Sequence, residues 1–162
     1  MNCIVAVDAR WGIGKDNDLL ISIPEDMKYF RRVTAGKVLI YGRKTLESFP
    51  GQKPLPKRRN IVITRNASYG GNGAEVVHSV EEAVQACADE DPANVFVIGG
   101  GNIYRQMLPY CDRAYVTRID STFDADTFFP DLSADPDWEV ESESETKIYE
   151  GIPYRFVIYK RI

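Results

Sequence analysis

The sequence predicts an α/β fold with three layers, in which helices cover both faces of a mostly parallel sheet. Three observations support this prediction. The runs "VLI" (38–40) and "VFVI" (95–98) are apolar throughout, which is typical of parallel strands buried on both faces. Segments with strand-like composition alternate with helical ones along the chain. Near the C-terminus, "WEVESES" (138–144) alternates apolar with polar residues, which favours an antiparallel strand with one exposed face.

Eight segments have the composition of strands, and the last two are expected to pair antiparallel at one edge of the sheet. These segments are 3–7, 37–41, 60–64, 74–77, 95–98, 114–120, 138–144 and 154–160. Four segments have helical patterns, namely 24–35, 43–48, 79–88 and 101–108. Pro24 suits the first turn of a helix, and Ser79 with Glu82 has the spacing of a capping box. We expect one domain over residues 1–162.

Composition narrows the functional classes. The net charge of −4 argues against a nonspecific nucleic-acid binder. Cys3, Cys87 and Cys111 lack metal-ligand spacing and the chain has a single histidine, so we predict reduced thiols and no metal site. The first residues lack the pattern of a signal peptide, and apolar runs fall far short of the roughly 20 residues of a membrane span. We therefore expect a cytoplasmic protein that does not bind membranes.

Charge is distributed unevenly along the chain. Segment 28–65 contains eleven Lys and Arg but one acid, Glu47, whereas segment 119–150 contains eleven Asp and Glu but one base, Lys147. Two solvated faces would account for such segments. Alternatively, the basic segment forms a surface that attracts a small polyanion.

The segment "VIGGGNIY" (97–104) places three glycines between a predicted strand and a predicted helix. Without side chains, the junction lets an anion approach backbone N–H groups at the start of the helix, where the helix dipole favours negative charge. The pattern alone is weak, because Tyr104 occupies the place of the third glycine of a dinucleotide fingerprint and no Lys-Ser/Thr ending follows. A tight turn without a ligand is therefore the alternative at this point.

Asp26 has an unusual position on the first predicted helix. At about 100° per residue, it falls on the same side as Phe30 and Val33. Its neighbour Glu25 and the basic Lys28 fall on the opposite side. An acid that complements the helix dipole is the simpler explanation, but a carboxylate on an apolar face is costly unless it is paired. We infer that its partner is a ligand, and we expect burial to raise its pKa, as in many active sites.

Several motifs occur together in one order along nearly the whole chain. They are "GIGKDNDLL", "IPEDMKYFRRVT", "YGRKTLESFP", "PLPKRRNIVIT", "VIGGGNIY", "YVTRID" and "DTFFP". In this combination the sequence resembles the dihydrofolate reductases. The resemblance implies an eight-stranded, mostly parallel sheet with an antiparallel C-terminal edge strand and about four helices. It also implies hydride transfer from NADPH to C6 of 7,8-dihydrofolate with protonation at N5, which gives tetrahydrofolate. We expect a monomer.

The resemblance implies catalytic roles for three residues. Asp26 matches the acid that binds the pterin, and a carboxylate can accept parallel hydrogen bonds from the 2-amino group and the adjacent ring nitrogen. In the family the proton is thought to arrive by way of water, so Asp26 is expected to act electrostatically rather than as a direct acid. Thr117 matches a threonine bonded to this carboxylate. Leu19 lies in segment 10–22, which resembles a loop that closes over the nicotinamide.

Substrate contacts also follow from the resemblance. The expected residues are Ile4, Val5, Ala6, Asp26, Met27, Phe30, Phe49, Lys53, Leu55, Arg58 and Thr117. Arg58 matches the arginine that binds the α-carboxylate of the glutamate tail, a task that suits a planar guanidinium. The sequence departs from the family at Lys53, where an arginine is usual, and at Leu20-Ile21, where Pro-Trp is usual. The tryptophan normally orders a water near the pterin, so hydration and inhibitor affinity are expected to differ here.

Cofactor contacts are implied in the same way. The expected residues are Ala6, Ile13, Gly14, Asn17, Asp18, Leu19, Gly42, Arg43, Lys44, Thr45, Thr64, Arg65, His78, Ile98, Gly99, Gly100, Gly101, Asn102, Ile103 and Tyr104. The glycines would hold the pyrophosphate, and in the family the first two are joined by a cis peptide bond. Arg43 to Thr45, Arg65 and His78 are candidates for the 2′-phosphate that distinguishes NADPH from NADH.

Two alternatives stay open from the sequence. One is a reductase of related fold that uses NADPH on another pterin or on a pyrimidine intermediate. The set of Asp26, Thr117 and Arg58 argues against it. The other is a nonenzymatic nucleotide- or folate-binding module, which would need the sheet and the glycine turn but not a buried acid.

Overall fold

The computed structural model describes residues 1–16 and 18–162, so the cofactor contact predicted for Asn17 lies outside the described residues. The strands are β1 (Asn2–Val7), β2 (Gly12–Gly14), β3 (Val38–Gly42), β4 (Arg59–Ile63), β5 (Glu75–Val77), β6 (Val95–Gly99), β7 (Arg113–Ile119), β8 (Thr127–Phe128), β9 (Trp138–Glu143), β10 (Lys147–Tyr149) and β11 (Ile152–Arg161). The helices are α1 (Pro24–Thr34), α2 (Arg43–Ser48), α3 (Val80–Ala86) and α4 (Gly101–Met107).

All eight predicted strands and all four predicted helices are present, with bounds that differ from the predicted ones by at most two residues. The strands that were not predicted are β2, β8 and β10. Each has two or three residues, which is too short for a periodic pattern to show.

The main sheet has the strand order β10-β11-β7-β1-β6-β3-β4-β5. From β7 to β5 all neighbours are parallel, and β11 runs antiparallel to β7. The predicted mostly parallel sheet with antiparallel C-terminal strands is therefore confirmed. The strand β11 lies one position inside the edge, because β9 and β10 pair with different halves of its outer side.

The chain leaves two neighbouring strands in opposite directions. From β1 it passes through β2 and α1 to β3, and from β6 it passes through α4 to β7, so the two connections run in opposite directions, with α1 and α4 on opposite faces of the sheet. Such a reversal marks a crevice at the carboxyl ends of the strands, where ligands of α/β proteins bind. The glycine turn follows β6 at this end of the sheet.

Helices pack on both faces of the sheet, as predicted. Phe30 of α1 and Leu46 of α2 belong to the apolar cluster on one face. Ala83 of α3 and Met107 of α4 belong to the cluster on the other face. Within the described residues, none of the helices is both long and apolar enough to cross a membrane.

Local sequence explains where these helices begin. Pro24 occupies the first turn of α1, and Glu25 and Asp26 complement the positive end of its dipole. The Ser79 hydroxyl caps α3 by accepting a hydrogen bond from the Glu82 amide at 3.0 Å. The Glu82 carboxylate accepts in turn from the His78 amide, one residue earlier than in the predicted capping box.

Acidic side chains of β9 form ion pairs with neighbouring strands. Glu141 makes two hydrogen bonds to the Arg113 guanidinium, at 2.8 and 2.9 Å. Glu139 and Glu143 pair with basic residues of β11. At the opposite edge, β5 has three residues, and its Glu75 pairs with an arginine of β4. Both edges of the sheet thus carry acidic side chains.

Candidate active site

A hydrogen-bonded pair at the carboxyl end of β7 is the chemical centre of the crevice. The Thr117 hydroxyl donates to an Asp26 carboxylate oxygen at 2.6 Å. Thr117 is buried on β7, and Asp26 is half-buried on the first turn of α1. Burial raises the pKa of Asp26, and the hydrogen bond from Thr117 partly opposes this rise by favouring the charged form.

The face of α1 explains why this carboxylate is buried. Glu25 is exposed and lies 3.3 Å from the Lys28 ammonium, whereas Asp26 turns towards the sheet beside Phe30 and Thr34. The helical periodicity had placed these residues in the same way. The remaining oxygen of Asp26 has no hydrogen-bond partner among the described side chains, so the carboxylate can still accept hydrogen bonds from a ligand.

An apolar wall lies next to this pair. It contains five of the predicted pocket residues in a single cluster: Ile4, Phe30, Phe49, Leu55 and Ile98. Met27 is 38% exposed at the outer side of α1. Val5 differs from this group, because its side chain packs in the cluster on the opposite face of the sheet. Only the backbone of Val5 can border the pocket.

Arg58 carries a positive charge that the protein leaves largely unmatched. Its Nη1 donates to the Pro56 carbonyl at 3.1 Å, while its Nε is buried without a partner in the described residues. Burial and the neighbouring Arg31 charge lower the pKa of Arg58, so an anion bound here would relieve both effects. Lys53 is exposed. Arg31 was not predicted, although its position four residues after Met27 is a signal that it shares that side of α1.

A narrow apolar cleft lies at the carboxyl end of β1. It brings together the predicted residues Ala6, Ile13 and Leu19 with Leu20 and Ile21. Leu19 is 59% exposed, which leaves an apolar side chain free to contact a ligand. Ile21 packs with buried apolar residues and lacks the N–H donor of the tryptophan usual at its position.

The chain before Leu19 is held by close backbone contacts. Lys15 and Asp18 exchange backbone hydrogen bonds, both at 3.0 Å. A Cβ atom at Gly14 would lie 2.9 Å from the Asp18 carbonyl oxygen. Gly14 and Asp18 therefore shape the backbone under Leu19.

The glycine turn is crowded on its protein side. Gly99 and Gly100 are joined by a cis peptide bond. A Cβ atom at Gly101 would lie 2.5 Å from Thr127 Cγ2, and one at Gly99 would lie 3.3 Å from Thr45 Oγ1. Because Gly99 also has a φ of 143°, side chains at these positions would be strained or would collide. The contact with Thr45 places this turn beside the start of α2.

Predicted cationic residues follow the carboxyl ends of β3, β4 and β5, which lie on one side of this turn in the strand order. The Arg43 guanidinium lies 4.4 Å from the centre of the Tyr69 ring, and Lys44 is exposed. Beyond β4, the His78 Nδ1 lies 2.9 Å from the Thr64 carbonyl oxygen, so Nδ1 carries the proton in this contact. Arg65 follows Thr64 and is exposed, with no ion pair inside the described ranges 1–16 and 18–162.

Other predicted cofactor residues have different surroundings. Gly42 lies against Ile103, whose Cγ1 would be 3.1 Å from an added Cβ atom. Asn102 is exposed. Tyr104 is buried, and its hydroxyl donates to the Ile4 carbonyl at 2.7 Å. This contact joins α4 to β1, so Tyr104 holds together two of the elements that border the crevice.

Comparison with known proteins decides the family. Residues 1–161 match the family described as dihydrofolate reductase. The chain belongs to the dihydrofolate reductase family.

The relatives of this chain in the family match over nearly their whole length. The dihydrofolate reductase of Staphylococcus haemolyticus is 42% identical, covering 100% of this chain and 96% of the relative. That of Bacillus subtilis is 40% identical, covering 98% and 92%. A solved dihydrofolate reductase from Enterococcus faecalis, complexed with NADP(H) and RAB-propyl, is 35% identical with a TM-score of 0.85, covering 99% of this chain and 95% of that one.

Proposed function

We propose that the crevice between β1, β6, β7 and α1 is the active site at which this dihydrofolate reductase family member reduces 7,8-dihydrofolate to tetrahydrofolate with NADPH. The observation that carries this proposal is the pair formed by buried Thr117 and half-buried Asp26, whose hydrogen bond is 2.6 Å long. Its carboxylate lies beside the apolar wall that contains Ile4, Phe30 and Leu55, and an apolar lining with a few polar groups is typical of sites that bind small molecules.

The residues present fit NADPH. The turn Gly99–Gly101 carries no side chains and leads into α4, so a pyrophosphate can approach its backbone N–H groups closely. Arg43, Lys44, Thr45, Arg65 and His78 would hold the 2′-phosphate side, and Ala6, Ile13 and Leu19 would border the nicotinamide. When bound, NADPH supplies the hydride that reduces C6.

Asp26 acts on the pterin through its charge. The carboxylate accepts hydrogen bonds from the 2-amino group and the adjacent ring nitrogen, which orients the heterocycle. In a partly desolvated site its negative charge stabilises a proton at N5, which makes C6 a better acceptor. Water delivers that proton, and Thr117 holds the carboxylate in the required orientation.

The apolar wall and Arg58 bind the remainder of the substrate. Phe30, Phe49 and Leu55 contact the benzoyl ring, and Arg58 binds the α-carboxylate of the glutamate. Its unmatched Nε and its neighbour Arg31 favour an anion at this point. Lys53 assists from the exposed rim.

Further properties belong to the same proposal. We infer a single domain over residues 1–162, a monomer, and a cytoplasmic location. The main sheet contains every strand except β2 and β8, from β1 near the start of the chain to β11 near its end, which supports the single domain.

The function is tested by following NADPH absorbance. We expect it to decline when the protein is mixed with 7,8-dihydrofolate and to stay constant without that substrate. Activity on another dihydropterin or a pyrimidine but not on dihydrofolate would favour the reductase of related fold. Binding of both ligands without turnover would favour a binding module.

The Thr117 hydroxyl is tested by Thr117→Val, which keeps the shape of the side chain. We expect kcat/KM for dihydrofolate to fall about tenfold at pH 7, because the carboxylate loses a charge-assisted hydrogen bond. The pKa of Asp26 should rise further, since the bond from Thr117 favours the charged form. A pH titration of substrate binding measures this shift. Thr34→Val removes another buried hydroxyl, bonded to the Phe30 carbonyl at 2.7 Å, and should leave the titration unchanged.

A further inference from the structure

The loop that carries Leu55 and Arg58 is held by one buried side chain. Asn60, the second residue of β4, is 6% exposed. The sequence singled out the basic residues before it and not Asn60 itself. Its amide points back into the loop of residues 55–58.

Four hydrogen bonds use the full capacity of this amide. The Oδ1 atom accepts from the Tyr41 hydroxyl at 2.8 Å and from the Leu55 backbone N–H at 3.2 Å. The Nδ2 atom donates to the Leu55 and Arg58 carbonyls, both at 2.9 Å. An amide offers two donors and two acceptor lone pairs, so every one is used.

The partners fix the residue type and its orientation. The Leu55 N–H can only donate and the two carbonyls can only accept, so the side chain must present an acceptor on one side and two donors on the other. Aspartate lacks the donors, and leucine lacks both. Burial keeps the Tyr41 hydroxyl protonated by raising the pKa of Tyr41, so this hydroxyl can donate to Oδ1.

We propose that Asn60 is a positioning residue for the carboxylate tail of the substrate, and that Tyr41 fixes the orientation of its amide. This proposal rests on the proposed function. The amide clamps the backbone at Leu55, beside the apolar wall, and at Arg58, whose guanidinium has few protein contacts of its own. Asn60 acts through these two residues and touches no substrate atom.

The hydrogen bonds of Asn60 to this loop affect the affinity for the benzoyl-glutamate tail of the substrate. A guanidinium binds a carboxylate through a planar fork, which requires its backbone to stay in place. Releasing the Arg58 carbonyl lets the loop move, so part of the binding free energy is spent on ordering it again. The pterin end is held by Asp26 on α1, which has no hydrogen bond to this loop within the described residues.

The experiment compares two substrates in Asn60→Ala and Tyr41→Phe. One is 7,8-dihydrofolate, and the other is 6-methyl-7,8-dihydropterin, which lacks the benzoyl-glutamate tail. For Asn60→Ala we expect KM for dihydrofolate to rise about 30-fold with kcat within about threefold. For Tyr41→Phe we expect KM for dihydrofolate to rise about threefold. The kcat/KM for the methyl pterin should stay within about twofold of the parent value in both variants.

Equilibrium binding supplies a readout besides turnover. Quenching of tryptophan fluorescence by dihydrofolate should weaken by the same factor as KM rises, while quenching by NADPH should not change. In the Arg58→Ala background, Asn60→Ala should add little further loss, because both changes remove the same contact.

A matched control is Asn2→Ala. Asn2 is 5% exposed, and its Nδ2 donates to the carbonyls of Pro92, Ala93 and Val95, where β1 meets the start of β6, three strands away from β4. Asn2→Ala should lower the midpoint of urea unfolding but leave KM for dihydrofolate unchanged. The positioning role would be overturned if the Asn60 and Tyr41 variants lost kcat/KM equally on dihydrofolate and on the methyl pterin. It would also be overturned if the losses in affinity for dihydrofolate from Asn60→Ala and Arg58→Ala were additive. If the parent protein reduces neither substrate, it is the proposed function that fails.

Discussion

Asp26→Asn is expected to lower kcat for dihydrofolate by at least about 100-fold at pH 7. Asparagine keeps the shape and can accept the Thr117 hydroxyl, but it lacks the charge that stabilises a proton on the pterin. The defect should shrink as the pH falls, because more of the substrate is then already protonated in solution. Turnover with NADPH measured across the pH range tests this, and near-normal activity at pH 7 would contradict the role given to Asp26.

The same variant should unfold less readily at neutral pH. Burial raises the pKa of Asp26, so the folded protein binds this proton more tightly than the unfolded chain does. The contribution of Asp26 to the free energy of unfolding therefore falls as pH rises from the unfolded pKa through the folded one, and stays low above it. Asparagine carries no charge, so the variant does not lose this free energy of unfolding at neutral pH.

Urea unfolding of the ligand-free protein at pH 7 and near pH 3 measures the effect. The variant should be more stable than the parent at pH 7, and its advantage should shrink in acid. Loss of activity together with loss of stability at pH 7 would indicate a misfolded variant rather than a missing charge.

Arg65→Ala is expected to lower kcat/KM for NADPH by about 10- to 100-fold and to change the value for NADH by less than about twofold. Arg65 is exposed, with no ion pair within the described parts of the chain, so its guanidinium is available for the 2′-phosphate. Arg43→Ala should act in the same direction, although this guanidinium also stacks on Tyr69. Steady-state kinetics with NADPH and with NADH measure the ratio of the two kcat/KM values.

The control for net charge is Lys160→Ala. Lys160 lies on β11, where it pairs with Glu139 at 3.4 Å, far from the cofactor residues in the sheet. Its removal should not change the ratio between the two cofactors. Equal kcat/KM for NADPH and NADH in the parent protein would contradict the proposed selectivity.

Most of the fold could be predicted because its strands and helices have strong patterns. Buried Val and Ile runs identified the parallel strands, and alternation in 138–144 identified the antiparallel one. The strands β2 and β8 could not be predicted, since they consist of a few residues whose pairing depends on contacts far apart in sequence. The same holds for β10, which forms a hairpin with β11.

The candidate site divides in a similar way. Asp26 was found from helical periodicity alone, because a carboxylate on an apolar face is an exception to the pattern. Thr117 and Arg58 have ordinary surroundings in sequence, so only the resemblance pointed to them. The side chain of Val5 lies on the opposite face of the sheet from that of Ile4, because neighbouring residues of a strand alternate between the two faces. Asn60 required the structure, because its four hydrogen bonds join it to Tyr41 of β3 and to the loop of residues 55–58.

The charged edges of the sheet affect association between molecules of this protein. An exposed strand edge can recruit another chain through its free backbone groups. Here the carboxylates of Glu139, Glu141 and Glu143 on β9 are each paired with a basic side chain of the same molecule, and β5 offers three residues for pairing. Charged side chains on an edge strand and a very short edge strand both disfavour pairing with another chain. This arrangement hinders fibril-like growth at high concentration.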